Sequence, residues 1–314
     1  QKSKQDMIFT DILSQMITLV LIVLGGFIAS KTNIMGGDFD RRLSAFIIKF
    51  TCPCLIAASA MGDVMPQREM ILPLLGAGFA TYAYLFAVAS FLPLLFVKDK
   101  DLRGMYSFML MFSNVGFMGY PIVAAIYGGE SVFYACILNI PNTVTVFIFG
   151  VYFIVGGAGR IKFDWSVLYC PAMVACYIAI AIVALNIQSI PSFISTPVKL
   201  IGNITIPGSM LLIGSSMAHM KRRQILGTPK TYIMTFLHLI VVPLGLFLLS
   251  DLVGMDRQIS LINTMLIAMP VASFGTMFCL NYGKDETHIV QGTFVSTFLS
   301  IITIPLIASI INSL

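Results

Sequence analysis

Long apolar runs separated by short polar turns organise this chain from end to end. The hydrocarbon core of a bilayer takes about 20 apolar residues per helix. Measured against that length, the runs predict ten helices, at 7–30, 43–62, 70–97, 104–127, 131–156, 165–187, 197–217, 230–250, 258–282 and 288–312. Two of them are interrupted at their middle. Residues 106–127 are broken by Ser113, Asn114, Gly116, Gly119 and Pro121, and residues 259–282 by Pro270, Ser273, Gly275 and Thr276. Each is the fourth apolar run of its half. Lipid offers backbone amides no partner, so a helix that breaks there must turn its freed donors and acceptors toward protein or a wet cavity. Broken helices at matching places in two halves point to the substrate site of a secondary transporter.

Composition agrees with a lipid solvent. The chain is 58% apolar and 11% charged, with a mean hydropathy of +0.92; a soluble domain carries about 25% charged residues. So few charges cannot cover a water-facing surface of 314 residues. Cys52, Cys54, Cys136, Cys170, Cys176 and Cys279 all fall inside apolar runs with no C-x-x-C pair, which reads as buried free thiols rather than a disulfide framework or a zinc site. Lys221, Arg222 and Arg223 form the one strong basic run, expected to be a cytoplasmic loop and not a nucleic-acid surface. Residues 1–6 read as a polar leader, with no cleavable signal expected before the first span. Lys2, Lys4, Arg68, Lys199 and Arg257 fall on the N-terminal side of the membrane, against thirteen Lys and Arg on the other. The richer side is cytoplasmic, so both termini are expected outside a cytoplasmic membrane.

Five runs per half is an odd number, so the second half must enter the membrane inverted. The expected division is 1–157 and 158–314, with scaffold and transport bodies each drawn from both halves. The motif Thr51-Cys52-Pro53 recurs as Thr205-Ile206-Pro207, 154 residues later, and the same shift carries 114–116 onto 268–270. The fold class expected is therefore an all-α integral membrane protein of ten transmembrane helices. They form an inverted 5+5 repeat in which the broken fourth and ninth helices cross.

Residues 112–121 (FSNVGFMGYP), 202–214 (GNITIPGSMLLIG), 268–276 (AMPVASFGT) and 297–305 (TFLSIITIP) resemble the fourth-, seventh-, ninth- and last-span signatures of the auxin efflux carrier family. The likeness follows the whole chain in order. It implies a fold similar to bile-acid/sodium symporters, an elevator-like motion, and small organic carboxylates of auxin, malate or malonate type as cargo. A homodimer through the scaffold helices is implied as well. Plant members carry a long hydrophilic loop between the halves. Here residues 156–165 make a short connection, as in compact, prokaryotic-type members, which puts auxin itself in doubt as the natural cargo.

Half-helix N-termini suit a carboxylate and half-helix C-termini suit a cation. Gly116 and Gly119 let the backbone open, Pro121 removes a donor, and Asn114 either contacts substrate or only caps a half-helix. On the other arm Pro270 makes the break and Ser273 and Thr276 bring hydroxyls, which line the site or bond back to their own helix. Asn139 and Asn142 flank Pro141 inside an apolar run, facing a cavity or supporting the break. Lys49 lies within the second run, to complement a carboxylate, to stand where a coupling cation sits in sodium-driven relatives, or to snorkel. His238 is deep enough for a proton relay, with a packing role as the alternative.

Asp11 sits near the edge of the first run, and no other Asp or Glu lies deep in one. That disfavours an Asp/Glu proton switch and leaves either Na⁺ near Thr51, Asn114 and Thr205 or uncoupled movement. No H-E-x-x-H or G-x-S-x-G is present, so an enzyme is not expected. The alternatives are a sodium-coupled symporter of another organic anion, a channel, or a non-transporting receptor on a transporter fold.

Overall fold

The computed structural model describes residues 2–61, 66–155, 168–187, 190–218 and 227–314. Arg160, Lys162, Lys221, Arg222, Arg223 and the division at 157/158 lie outside the described residues, as do the surroundings of the Asp11 side chain. The described chain is all helix. In order come α1 (Lys2–Lys31), α2 (Gly37–Ser59), α3 (Arg68–Leu95), α4 (Lys100–Met111), α5 (Val115–Tyr127), α6 (Ser131–Thr145) and α7 (Ile148–Val155). Then follow α8 (Pro171–Ala184), α9 (Ser192–Ala218), α10 (Pro229–Leu252), α11 (Arg257–Ile267), α12 (Phe274–Asn281) and α13 (Thr287–Ser313). Among the described residues, α2, α3, α9, α10 and α13 are each long and apolar enough to cross a membrane. The pair α6–α7, bent by 44°, makes a sixth if counted as one. The predicted fourth and ninth runs are each two separate arms.

Helix ends follow ordinary capping chemistry. Asp99 accepts from Leu102 N–H at 3.0 Å at the start of α4, and Asp256 accepts from Gln258 and Ile259 N–H at 2.9 and 3.1 Å at the start of α11. Proline leaves a subtler mark. The widened π turns at Ile47–Thr51, Val115–Gly119 and Leu237–Val241 each end two residues before a proline, Pro53, Pro121 and Pro243. A proline ring crowds the carbonyl one turn back and offers it no N–H, so the turn before it opens to i→i+5 bonding.

Glycines let the backbones touch, as lipid-solvated helices require. A Cβ on Gly214 of α9 would sit 1.9 Å from Val23 O of α1, and one on Gly26 would sit 2.1 Å from Leu211 O. Gly104 brings α4 against Phe153 of α7 in the same way. α1 packs along α9, and α2 packs on both α8 and α9. α3 packs on α4 and α6, α4 on α7, and α10 on α11 and α13. Outward-facing Phe79, Leu248 and Ile302 leave large apolar surfaces exposed, as a lipid-facing wall does.

Candidate functional site

The two breaks meet. Asn114 N–H donates to Pro270 O at 2.7 Å and Ala272 N–H donates to Phe112 O at 2.9 Å, on either side of an antiparallel Ser113–Val271 bridge. The remaining freed groups find side chains. Ser113 Oγ donates to Ile267 O at 2.9 Å, Val271 N–H donates to Ser296 Oγ at 3.0 Å, and His238 Nε2 lies 2.9 Å from Met269 O. Buried backbone groups must be satisfied, and here each break is the other's main partner. His238 accordingly holds the break of the second arm. Pro270 contributes its carbonyl. The pair centred on Ser113 and Val271 is offset by 158 residues, not 154, so the two arms correspond four residues away from the alignment set by Thr51 and Thr205.

Two cavities flank this junction, and Asn114 and Phe117 line both. The first, of about 400 Å³, lies between α2 and α8 on one side and α5 and α6 on the other. Asn114, Gly116, Asn139 and Asn142 all line it, with Tyr120 and Thr143. Ile47, Ile48, Phe117, Met173 and Val146 make its apolar walls. Asn139 Nδ2 donates to Tyr120 OH at 3.0 Å, while the buried Oδ1 atoms of Asn139 and Asn142 have no partner among the described residues. Asn114 Oδ1 accepts from Phe117 N–H at 3.3 Å and so caps α5. Gly116, at the N-terminal turn of α5, is exposed to the cavity, and a Cβ there would meet nothing within 4 Å. That opening is a helix N-terminus, with N–H donors and partial positive charge.

The second cavity, of about 470 Å³, lies among α2, α9, α12 and α13. Ser273 and Thr276 line it, with Ser209, Thr293, Thr297 and Asp40. Asp40 went unseen in the sequence. α2 starts at Gly37 rather than 43, because the turn at Gly36 and Gly37, both at positive φ, lets the chain enter the helix early. That carries Asp40 from a supposed loop into the helix and into a cavity wall beside Asn114.

Other expected residues stand apart. Lys49 is exposed and lines neither cavity, the position of a snorkelling lysine. Pro121 is buried within α5 and lines neither. Thr51 and Thr205 are fully buried, with Thr205 Oγ1 donating to Thr51 Oγ1 at 2.9 Å. They satisfy each other and do not join Asn114 around either cavity. The thiols were read as packing only, yet Cys52, Cys136, Cys170 and Cys176 line the first cavity, and Cys176 Sγ lies 3.1 Å from Cys136 Sγ.

An all-helical chain with exposed apolar flanks and solute-sized cavities at paired helix breaks has the form of a membrane transporter. The profile of the family described as "Membrane transport protein" matches residues 11–161 and 160–308, and the chain belongs to that family, the one that includes the auxin efflux carriers. An uncharacterised transporter of Methanocaldococcus jannaschii is 24% identical over 307 residues, covering 92% of this chain and 95% of that protein. Another from Methanothermobacter thermautotrophicus is 22% identical over 312 residues, covering 96% and 98%.

Proposed function

We propose that this chain is a carrier for small organic anions, of the kind with one carboxylate and an apolar body, and that the first cavity is where they bind. The observation that carries this is the meeting, in one cavity of about 400 Å³, of the open N-terminus of α5 at Gly116, the amides of Asn114, Asn139 and Asn142, and aliphatic and aromatic walls. The backbone N–H groups at the open N-terminus of α5 favour a carboxylate, and among the described residues no charged side chain lines the cavity. The walls suit a hydrocarbon or aryl body better than the second carboxylate of malate or malonate, which would lie against apolar surface.

The carrier works across ten spans in an inverted five-plus-five arrangement, α4–α5 crossing α11–α12 at the paired breaks. Contact between Thr51 and Thr205, equivalent positions of the two halves, supports a pseudo-two-fold relation, as does the reciprocal bonding about Ser113 and Val271. α1, α2, α8 and α9 form the scaffold, and the other helices form the moving body. Both cavities line the seam between them, as an elevator requires. The membrane is cytoplasmic, with both termini outside.

The test is transport current from proteoliposomes on a solid-supported membrane, with indole-3-acetate, other aryl and alkyl monocarboxylates, malate and malonate. A saturable current for monocarboxylates is expected, with matching thermal stabilisation of the purified protein. Neither current nor stabilisation by any of them would refute the anion reading, and stabilisation without solute movement would favour a receptor.

A further inference from the structure

We propose that the second cavity is a Na⁺ site centred on the Asp40 carboxylate, coupled to the anion cavity through the wall that both share. The inference deepens the carrier reading and rests on it for the coupling, though not for the site itself.

Asp40 is the one charged residue among the described residues that line either cavity. Its carboxylate is fixed but not neutralised. Gly36 N–H donates to Oδ1 at 2.9 Å, and Ser215 Oγ donates to Oδ2. The adjacent cations are taken elsewhere: Arg41 and Arg42 each reach Asp38 at 2.6 Å. Among the described residues no cation pairs with Asp40. Asp40 is half-buried, and a carboxylate held in place with no cation paired to it among the described residues has oxygen lone pairs free to take one.

A second observation is independent of that charge. Ser209 is fully buried and lines this cavity, and among the described residues its Oγ has no hydrogen-bond partner; the buried Oγ1 of Thr293, on the facing helix, has none either. Hydroxyls of Thr276, Thr297 and Ser273 line the same space. Hydroxyl and carboxylate oxygens are ligands for hard cations. With no imidazole or thiol in the lining, soft transition metals are poorly served. One carboxylate among neutral oxygens balances a single positive charge. The N-terminus of α12 reaches the cavity at Ser273 and Thr276, but its partial charge of about one half is outweighed by a full carboxylate charge.

The internal repeat sharpens the contrast. Val115, Cys136 and Asn139 line the first cavity, and adding the 158 of the paired breaks to each number gives Ser273, Phe294 and Thr297, which line the second. The two cavities are thus built at corresponding places with opposite chemistry. One carries amides and an open helix N-terminus for an anion; the other carries hydroxyl oxygens and a carboxylate for a cation. Asn114 and Phe117 belong to both walls, so filling one cavity sets a boundary of the other, and the coupling that follows is reciprocal, each ligand changing the other's affinity by the same factor.

The experiment is a thermal-unfolding titration of the purified protein with NaCl against choline chloride at constant ionic strength, with and without a bound monocarboxylate. Wild type, Asp40→Asn, Ser209→Ala and Thr293→Val are compared. A saturable Na⁺-specific stabilisation is expected. It weakens about tenfold or more in Asp40→Asn, as for the loss of one charged ligand, and measurably in the two hydroxyl variants, which keep the proposal testable if Asp40→Asn misfolds. Na⁺ should also tighten monocarboxylate binding in wild type but not in Asp40→Asn. Equal stabilisation by choline, or Na⁺ binding unchanged in all three variants, would overturn the site. Na⁺ binding with no effect on monocarboxylate affinity would overturn the coupling. Na⁺ binding by a protein that moves no carboxylate would uphold the site and refute the carrier reading instead.

Discussion

Replacing Asn114 removes two things at once, and they can be separated. Its Oδ1 caps α5 through Phe117 N–H at 3.3 Å, and its side chain lines both cavities. An N-cap is worth about 1 kcal/mol, which lowers the melting temperature of a 314-residue chain by about 1.5 °C. A hydrogen bond to a charged ligand is worth about 1.5–3 kcal/mol, or about 10- to 150-fold in affinity. Asn114→Ala should therefore show both losses. Asn114→Ser keeps a capping oxygen but draws back from the cavity, so it should melt near wild type and still lose affinity. Asn114→Asp keeps shape and cap while placing negative charge beside the anion, and should lose the most affinity with no loss of melting temperature. Half-saturating monocarboxylate concentration in the current assay, read beside thermal unfolding, measures both. If Asn114→Ser and Asn114→Asp bind the anion as tightly as wild type, the amide only caps α5 and the binding argument fails.

Gly214→Ala forces α1 and α9 apart at a 1.9 Å approach and should cost about 1–3 kcal/mol by overpacking, whereas Gly76→Ala, mid-helix with nothing within 4 Å, should hold or slightly raise the melting temperature; equal behaviour of the two would refute the close approach. Copper-phenanthroline oxidation should join Cys136 to Cys176, whose sulfurs lie 3.1 Å apart on α6 and α8. If those helices belong to different bodies, as proposed, transport should stop, recover with a reductant, and be immune in Cys136→Ser. Cross-linked protein transporting at full rate would rule out sliding along that seam. Thr81→Val strands the Asn263 Nδ2 donor that bonds Thr81 Oγ1 at 2.6 Å and should destabilise by about 1–3 kcal/mol, seen as a lowered unfolding midpoint. Lys49→Gln should transport with wild-type affinity, since Lys49 faces outward; a clear loss of affinity would return it to the site.

What could be read from sequence was whatever interrupts an apolar run. Gly116, Gly119, Pro121 and Pro270 announced the breaks, because nothing but a wet or protein-lined junction tolerates them at that depth. The partners that secure those breaks were hidden. Ser296 looks like any hydroxyl that bonds back to its own helix, yet its Oγ also accepts from Val271. Asp40 was hidden by a boundary: counting apolar residues starts a helix where hydrophobicity begins, while a Gly-Gly turn starts this one six residues sooner. Cysteines count as apolar in any such tally, so four thiols in a cavity wall left no trace in the pattern. Lys49 misled in the opposite sense. A charge inside a run signals function only if it points inward, and its neighbour Ile47 is the buried one.

The paired breaks also set an order of assembly. Phe112 O and Asn114 N–H find their backbone partners in Ala272 and Pro270, more than 150 residues later in the chain. When the first half emerges from the ribosome, these groups have nothing to bond. Until α11 and α12 arrive, α4 and α5 must wait beside water, lipid headgroups or the insertion machinery. The junction of the two breaks is therefore among the last parts of the protein to form, and a stop codon anywhere before Pro270 would release a chain whose centre cannot close.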